Sequence, residues 1–141
     1  MQILTLTEDG LDQAVALYVD VFSRAPWDEA WTADDARRRL APMVAAPGAA
    51  GVLAVGDDTV VGMALGVVER QVGHDVFLLR EMCVLPERQR SGIGGAMLDA
   101  LDQRLEVASW YLLTARESPA ATFYESRGFR PARRNAVWVR P

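Results

Sequence analysis

The sequence has no lysine, one cysteine and one histidine among its 141 residues. The phosphate loop of Walker-type ATPases and GTPases ends in a lysine followed by serine or threonine, so that class of protein is excluded. Cys83 alone can form neither an internal disulfide nor a cysteine zinc cluster, and His74 alone cannot build a histidine-rich metal site. We therefore predict no metal site, and any chemistry must come from other residue types.

Long apolar segments are also missing. No run approaches the roughly 20 residues that cross a bilayer, and the start, MQILTLTEDG, lacks the charged and apolar regions of a signal peptide. We expect a cytoplasmic protein with no membrane partner. Half of the residues are hydrophobic, which is enough for one substantial core and too little for two, so we predict a single domain over residues 1–141.

The charge is acidic, with a formal net value of -4 at pH 7. General nucleic-acid binding needs a basic face that neutralises phosphates, so we expect no nucleic-acid partner. The negative net charge suits a cationic substrate better than a nucleic acid.

Apolar spacing predicts an α/β (α+β) fold in which helices flank a mixed central sheet, in the order β-α-α-β-β-β-α-β-α-β-β. A capping box from Thr32 to Asp35 starts the second helix, and Ser118 with Pro119 starts the last. The predicted elements are strands at 2–7, 51–55, 60–69, 76–85 and 110–115, helices at 11–22, about 32–43, 93 to about 108 and 118–128, and a closing hairpin of 129–133 with 135–140.

Residues 88–98, RQRSGIGGAML, place glycines at a turn from strand to helix. Such glycines let a ligand approach the backbone, and the free N–H groups at a helix N-terminus favour an anion such as phosphate. Arg88 and Arg90 support an anion site. A dinucleotide fingerprint would require a third glycine where Met97 stands. A purely structural tight turn, or a phosphate site of another kind, is the alternative.

At this point the chain resembles the GCN5-related N-acetyltransferases. Their strand ending in Val-x-Pro and the following [Gln/Arg]-x-x-Gly-x-[Gly/Ala] correspond to CVLP and the loop at 89–94. A second family signature, Ala-x-x-[Phe/Leu]-Tyr-x-x-x-Gly-Phe, corresponds to AATFYESRGF at 120–129. With the upstream helices and strands in the family's order, the resemblance covers nearly the whole chain.

The resemblance implies that acetyl-CoA is the co-substrate. It implies that the backbone of the loop holds the pyrophosphate, through Gln89, Arg90, Ser91, Gly92, Ile93, Gly94 and Gly95. It also implies that the strand at Met82, Cys83 and Val84 separates from its neighbour and bonds the pantetheine arm as an added strand would. The family's usual mechanism is direct attack of a substrate amine on the thioester, without an acyl-enzyme.

Two residues are candidates for proton transfer. Tyr124 stands at the family's tyrosine near the CoA sulfur, where a phenol can protonate a leaving thiolate; the alternative is an aromatic that packs the last helix. Glu81, on the strand facing the cofactor, is our candidate base, with an ordered water or water chain as the alternative proton acceptor. The ordinary alternative for Glu81 itself is an outward-facing carboxylate paired with a nearby arginine. We expect Cys83 to pack as a small hydrophobe, and His74 to be a solvated turn residue.

The connection between the first two helices is where family members meet the acceptor. Here it holds our candidate substrate-binding residues, Trp27, Asp28, Glu29 and Trp31, with Asp34 and Asp35 nearby. Aromatic rings with carboxylates suit a cation, although one tryptophan in the core and acids at a helix N-terminus would look the same.

A family branch that acetylates N-terminal alanines of ribosomal proteins would carry a glutamate where Leu112 is and an asparagine where Glu117 is. This sequence has neither residue, which weakens the hypothesis of a protein N-terminal acetyltransferase. The leading hypothesis is therefore an N-acetyltransferase for a small-molecule primary amine: an amino sugar, aminoglycoside, polyamine or amino acid. The alternatives are a peptide or protein N-acetyltransferase, which predicts an open groove near Trp27, and a non-catalytic acyl-CoA sensor. Many relatives form dimers, so a homodimer is left open.

Overall fold

A computed structural model describes residues 1–141 and contains one mixed sheet with helices on both faces. The elements are β1 Gln2–Thr5, α1 Leu11–Phe22, α2 Ala33–Ala45, β2 Ala49–Gly56, β3 Thr59–Gln71, β4 His74–Val84, α3 Ile93–Arg104, β5 Ser109–Leu112 and α4 Pro119–Ser126. The strands lie in the order β1-β2-β3-β4-β5, antiparallel except for the parallel pair β4 and β5. The predicted mixed α/β fold is confirmed. No helix is both long and apolar enough to span a bilayer.

Helices α2 and α4 begin at the residues that their capping patterns indicate. The Thr32 side chain accepts a hydrogen bond from the Asp35 N–H at 3.1 Å. The Ser118 hydroxyl accepts one from the Ala121 N–H at 3.0 Å, and Pro119 is the first helical residue. Each cap satisfies an N–H group that has no partner within its helix, so these helix starts could be predicted locally.

The apolar core is divided by the sheet. Helices α1 and α2 pack on one face, around Tyr18, Leu40 and Met63. Helix α3 packs on the other, where Met97 and Leu101 contact the Phe77 side of the sheet. We name these the α1/α2 face and the α3/α4 face.

A β-bulge in β4 changes the face of the sheet on which the odd-numbered side chains lie. Leu65 pairs with Glu81, but the next residue, Gly66, pairs with Leu79, which leaves Arg80 as an extra residue. A Cβ at Gly66 would collide with the Leu78 carbonyl oxygen, so the close approach requires glycine there. Before the bulge, odd-numbered residues of β4 face α3; after it, Cys83 packs with α1 and α2. The bulge therefore turns Glu81 towards the α1/α2 face.

Two predicted boundaries are wrong. Helix α3 ends at Arg104 rather than near Ala108, because Leu105 is already extended and the Ala108 N–H bonds the Asp75 carbonyl at 2.8 Å beside the sheet. The strand expected at 110–115 is β5 at Ser109–Leu112. It is covered on one face only, since Trp110 and Leu112 are half-buried while Tyr111 is exposed.

The predicted closing hairpin is also wrong. Residues 129–141 form no strand, and all of residues 130–141 are exposed. Pro131 has no N–H to donate to a ladder, and Arg130, Arg133 and Arg134 bring charge to the segment where a first hairpin strand would need to pack. The described fold therefore ends its regular structure with α4.

Candidate active site

The loop at residues 89–95 leaves backbone N–H groups free at the start of α3. The N-cap is Gly92, which has a positive φ of 85° and no side-chain cap bond. Its carbonyl accepts from Ala96 at 3.0 Å, so the N–H groups of the three residues between them have no partner in the helix. Arg90 also has a positive φ, 61°, a conformation that costs energy in a non-glycine residue. The loop thus exposes several donors at the positive end of the α3 dipole.

The glycines of this loop differ in what surrounds them. A Cβ on Gly92 would meet nothing within 4 Å, whereas one on Gly94 would lie 3.1 Å from Phe123 Cζ and 3.2 Å from Met82 Cε. Gly94 therefore allows α4 to pack against α3, and Gly92 leaves open space at the helix end. A side chain at position 92 would therefore extend into open space, whereas one at position 94 would meet Phe123 and Met82.

The loop side chains are held in different ways. Arg88 forms an ion pair with Asp57 on the β2–β3 turn, and the Gln89 side chain donates to the Val84 carbonyl at 3.2 Å. The Ser91 hydroxyl donates to the Arg88 carbonyl at 2.5 Å. Arg90 is exposed and has no ion pair, so it is the arginine available to an anion at this loop.

The sheet opens between β4 and β5 at residues 81–84. The parallel pairing runs from Val76 opposite Ser109 to Leu79 opposite Leu112 and stops there. Strand β4 continues to Val84, paired with β3 alone. The edge of β4 at Met82, Cys83 and Val84 is consequently unpaired by β5, which is the separation that the family resemblance implied for these residues.

Tyr124 lies beside this opening on the α3/α4 face. Its hydroxyl donates to the Met82 sulfur at 3.6 Å, and its ring contacts those of Phe123 and Phe129. Burial raises the pKa of the Tyr124 phenol to about 12, so the hydroxyl keeps its proton at neutral pH. The side chain both packs α4 and presents a proton donor at the opening.

Glu81 lies on the opposite face, buried with 7% of its side chain exposed, and forms an ion pair with Arg39 Nε. Burial raises the pKa of the Glu81 carboxyl, and the Arg39 guanidinium partly opposes that rise. The Tyr18 phenol lies near Glu81. Burial and the negative charge of Glu81 raise the pKa of this phenol to about 12. Glu81 is therefore a buried, paired carboxylate rather than a surface one.

Cys83 and His74 do not contribute reactive groups here. Cys83 is buried in the α1/α2 face, and burial raises the pKa of its thiol, so it stays protonated. It packs as the small hydrophobe that we expected. His74 is exposed at the first residue of β4, with Nδ1 3.1 Å from the Val72 carbonyl oxygen, and at about 3.3 Å per residue it is roughly 20 Å from Glu81.

The two tryptophans of the α1–α2 connection occupy different environments. Trp27 is exposed and stacks edge-on against Phe22, while half-buried Trp31 packs edge-on against Tyr18. Arg39 lies over the Trp31 ring at 6.0 Å, and Trp31 Nε1 is buried without a hydrogen-bond partner. An arginine of the chain thus already occupies one face of this ring.

A cavity of about 570 Å³ adjoins this region, lined by Glu29, Ala30, Trp31, Asp35, Arg38 and Arg39. It contains two of the four expected substrate-binding residues, Glu29 and Trp31; Trp27 and Asp28 do not line it. Arg39, the ion-pair partner of Glu81, lines the cavity, whereas buried Glu81 itself does not.

Comparison with known families decides the identity of the chain. The profile of the acetyltransferase (GNAT) domain matches residues 47–131, which include β2 to α4, the glycine loop and Tyr124. The chain belongs to the GNAT acetyltransferase family. It is therefore an acetyl-CoA-dependent acetyltransferase, and the recognition made from the two sequence signatures is confirmed.

Solved structures share the GNAT fold at low sequence identity. A probable acetyltransferase superposes with a TM-score of 0.82 at 20% identity, over 100% of this chain and 97% of the other. A putative acetyltransferase from Agrobacterium tumefaciens gives 0.78 at 22% identity, over 100% of both chains. The aminoglycoside N-acetyltransferase AAC(6')-Iy, solved with CoA, gives 0.76 at 16% identity, over 99% and 93%. A search of curated protein sequences finds no match.

The GNAT co-substrate fits the residues present. Gly92 leaves open space beside free helix N–H groups, and β4 offers an unpaired edge next to it.

Sequence reasoning missed Arg39 and Tyr18, which surround Glu81. Position 39 follows Ala36 by three residues and precedes Met43 by four, so helical spacing places Arg39 near the buried side of α2. We did not select it because a charged residue is usually expected to be exposed.

Proposed function

We propose that this GNAT enzyme transfers an acetyl group from acetyl-CoA directly to the primary amine of a small molecule. The observation that carries the proposal is the opening beside residues 81–84. A ligand at this opening can reach both faces of the sheet, with Tyr124 on one side and Glu81 on the other. Elsewhere the paired strands separate the two faces.

In this proposal the co-substrate lies across the loop and the unpaired strand edge. Free N–H groups of residues 93–95 and the Gln89–Ser91 backbone hold the pyrophosphate, with Arg90 supplying charge. The backbone of Met82, Cys83 and Val84 bonds the pantetheine arm. Support comes from the open space at Gly92 and from the end of β5 at Leu112.

Proton transfer is assigned to the two side chains at the opening. The attacking nitrogen needs its lone pair, so Glu81 accepts the proton that the amine loses, directly or through a water. The C–S bond of the thioester breaks as the C–N bond forms, and Tyr124 donates its proton to the leaving sulfur. The raised pKa of Tyr124 keeps that proton available, and burial of Glu81 raises its pKa towards the range of a working base.

The acceptor site is assigned to the 570 Å³ cavity beside Arg39. Glu29 and Asp35 have no ion pair and give it unneutralised acidic groups that suit an amine. The Trp31 ring also lines the cavity, and an aromatic ring beside carboxylates suits a cation. An amino sugar, aminoglycoside, polyamine or amino acid each supplies such an amine. One GNAT of similar fold is an aminoglycoside acetyltransferase solved with sisomicin.

A peptide amine is the second candidate. Glu29, Ala30, Asp35 and Arg38 are all exposed, so the cavity is open along one side, as a chain-like acceptor requires. Peptide and small-molecule acceptors therefore belong in the same screen.

The test is calorimetric titration with acetyl-CoA, with CoA, NAD and ATP as comparisons, followed by a thiol-release assay over amino sugars, aminoglycosides, amino acids, polyamines and peptides. We expect saturable binding confined to acetyl-CoA and CoA, and thiol release with a small primary amine. Absence of acetyl-CoA binding to folded protein would overturn the cofactor assignment. Turnover with peptides alone would overturn the acceptor assignment.

A further inference from the structure

Arg39 joins the acceptor cavity to the candidate base. Its side chain lines the cavity of about 570 Å³, and its Nε donates a hydrogen bond to Glu81. The Arg39 side chain is 42% exposed, whereas that of Glu81 is 7% exposed. A ligand in the cavity can therefore contact the guanidinium directly, while the carboxylate lies behind it.

The Arg39 guanidinium keeps hydrogen-bond donors for such a ligand. A guanidinium carries several N–H donors in a planar fork and no acceptor. The bond to Glu81 uses Nε, and neither Nη donates to a carboxylate of the chain. Burial lowers the pKa of this guanidinium, but hydrogen bonds to Glu81 and Tyr18 raise it by more, so the positive charge is permanent. Even with Tyr18 as a second acceptor, N–H groups on Nη remain that can bind the oxygens of a carboxylate.

Arg80 adds a further positive charge beside Glu81 in the chain. It is the extra residue of the β4 bulge, and it is exposed and forms no ion pair. Burial raises the pKa of the Glu81 carboxyl, and the charges of Arg39 and Arg80 both oppose that rise. The candidate base thus lies within electrostatic range of two arginines, only one of which is paired with it.

The cavity itself carries charges of both signs. Glu29 and Asp35 line it and form no ion pair, while Arg38 is paired with Asp34, which does not line it. The charges left for a ligand are therefore two carboxylates and the Arg39 guanidinium. A zwitterion complements both signs, whereas an acceptor with several amines and no anionic group would place positive charge against Arg39.

We propose that the acceptor is an α-amino acid whose carboxylate binds Arg39, which makes Arg39 a specificity-determining residue. The inference rests on the proposed function, in which Glu81 takes the proton that the attacking amine loses. Because Arg39 and Glu81 are in contact, the acceptor groups that they serve must be neighbours, and a single carbon separates the amine and carboxylate of an α-amino acid. Amino sugars, aminoglycosides and polyamines have no carboxylate beside the amine. The C–N bond forms as the C–S bond breaks, and the products are the N-acetyl amino acid and CoA.

Thiol-release kinetics with matched acceptors test the proposal. Each protein amino acid is compared with its α-carboxamide, which keeps the amine and the side chain but lacks the negative charge. We expect kcat/KM to be roughly 10-fold or more higher for the acid, the range of a hydrogen bond to a charged group. The α-amine of the amide loses its proton at lower pH, which favours the amide, so this difference cannot produce the expected preference.

Arg39→Met tests which residue recognises the carboxylate. Loss of the guanidinium also changes Glu81, but that effect is common to acid and amide, so the ratio of their kcat/KM values isolates the carboxylate contact. We expect the preference for the acid to disappear in Arg39→Met and to be kept in part in Arg39→Lys. Arg37→Met is the matched control and should keep the wild-type ratio, because Arg37 lies on the same helix, pairs with Asp12 and does not line the cavity.

The outcomes separate this inference from the proposed function. Equal kcat/KM for acid and amide in the wild type, or a preference that persists in Arg39→Met, would overturn the recognition of a carboxylate by Arg39 and leave acetyl transfer to a small amine standing. Turnover of amino sugars or polyamines without turnover of any amino acid would have the same meaning. Absence of turnover with every amine would overturn both.

Discussion

Tyr124 combines a packing role with the role in proton transfer that we propose for it. Its ring fills the contact between α4 and the α3/α4 face, while its hydroxyl reaches Met82 at the opening. We predict that Tyr124→Phe keeps the ring packing and acetyl-CoA affinity but lowers kcat by roughly 10²-fold or more, the range of general acid catalysis. Steady-state kinetics and calorimetry measure the two effects separately.

The matched control is Tyr111→Phe. The Tyr111 hydroxyl bonds Glu69 at 2.5 Å on the exposed face of the sheet, so its loss should leave kcat unchanged. If Tyr124→Phe turned over at the wild-type rate, the phenol would have a packing role only.

Glu81 carries the pH dependence that we expect at low pH. Burial raises its carboxyl pKa, and a base acts only when deprotonated, so kcat/KM should fall as pH drops through a value above the ordinary glutamate range. Glu81→Gln removes this acidic limb and lowers the plateau by roughly 10²-fold. A pH–rate profile that keeps the limb in Glu81→Gln would assign it to another group.

Arg39 is predicted to keep Glu81 ionised. Removing the guanidinium by Arg39→Met leaves burial unopposed, so the Glu81 pKa rises further and the acidic limb moves to higher pH. Arg38→Met is the control, since Arg38 pairs with exposed Asp34 instead. Arg39→Lys should move the acidic limb of the pH–rate profile part of the way back to its wild-type pH. An acidic limb that does not move in Arg39→Met would mean that this ion pair is purely structural.

At the scale of elements, the start of α3 combines a glycine with open surroundings, Gly92, with a glycine in a packed contact, Gly94. We predict that Gly92→Arg fills the open space and abolishes acetyl-CoA binding, while the αL backbone costs only about 1–2 kcal/mol of stability. Gly73→Arg in the β3–β4 turn is the control, because Gly73 has a φ of 80° and similarly open surroundings. It should show the same loss of stability with normal binding, and equal loss of binding in both would refute the assignment of the loop.

Gly94 should behave differently. A methyl group there lies against Phe123 and Met82, so Gly94→Ala should cost about 1–3 kcal/mol by overpacking. Because the contact is between α3 and α4, it should also displace Tyr124. Chemical denaturation and kcat measure the two consequences, and an unchanged denaturation midpoint would contradict this account of Gly94.

Elements could be predicted from the sequence where local chemistry determines them. The Thr32 and Ser118 caps and the Asp57–Asp58 turn, both residues at positive φ, specify their own boundaries. The bulge at Arg80 could not be predicted, because it depends on Gly66, which lies on another strand. For the same reason the sequence suggested Glu81 but not its partner Arg39, which is 42 residues away.

The failure of the predicted hairpin has a similar cause. The apolar run 136–139 has the composition of a strand, and composition alone does not specify its partner. In the structure no part of the chain pairs with it, and the half of the expected hairpin nearest α4 is rich in arginine. The strand-like composition alone therefore did not produce a strand, because the segment has no partner strand within the chain.

At the scale of the whole molecule, we propose that the single sheet makes residues 1–141 one cooperative unit, as the length suggested. Core residues on both faces pack against the same central strands, β3 and β4, so neither face can unfold alone. Thermal unfolding followed by far-UV and near-UV circular dichroism should therefore give coincident transitions. Two separate transitions would show that the helices of one face form an independent unit.

Acetyl-CoA should shift that single transition as a whole. A ligand that binds only the native state stabilises it by about 2.7 kcal/mol at a free concentration 100 times its Kd, which for a chain of this length raises Tm by roughly 8 °C. The proposed site joins the α3 loop to the opening of the central sheet, so both spectral regions should report the same increase, and NAD at equal concentration should cause none. An increase seen by one probe alone would mean that acetyl-CoA stabilises only part of the molecule, and the opening between β4 and β5 would then not be its site.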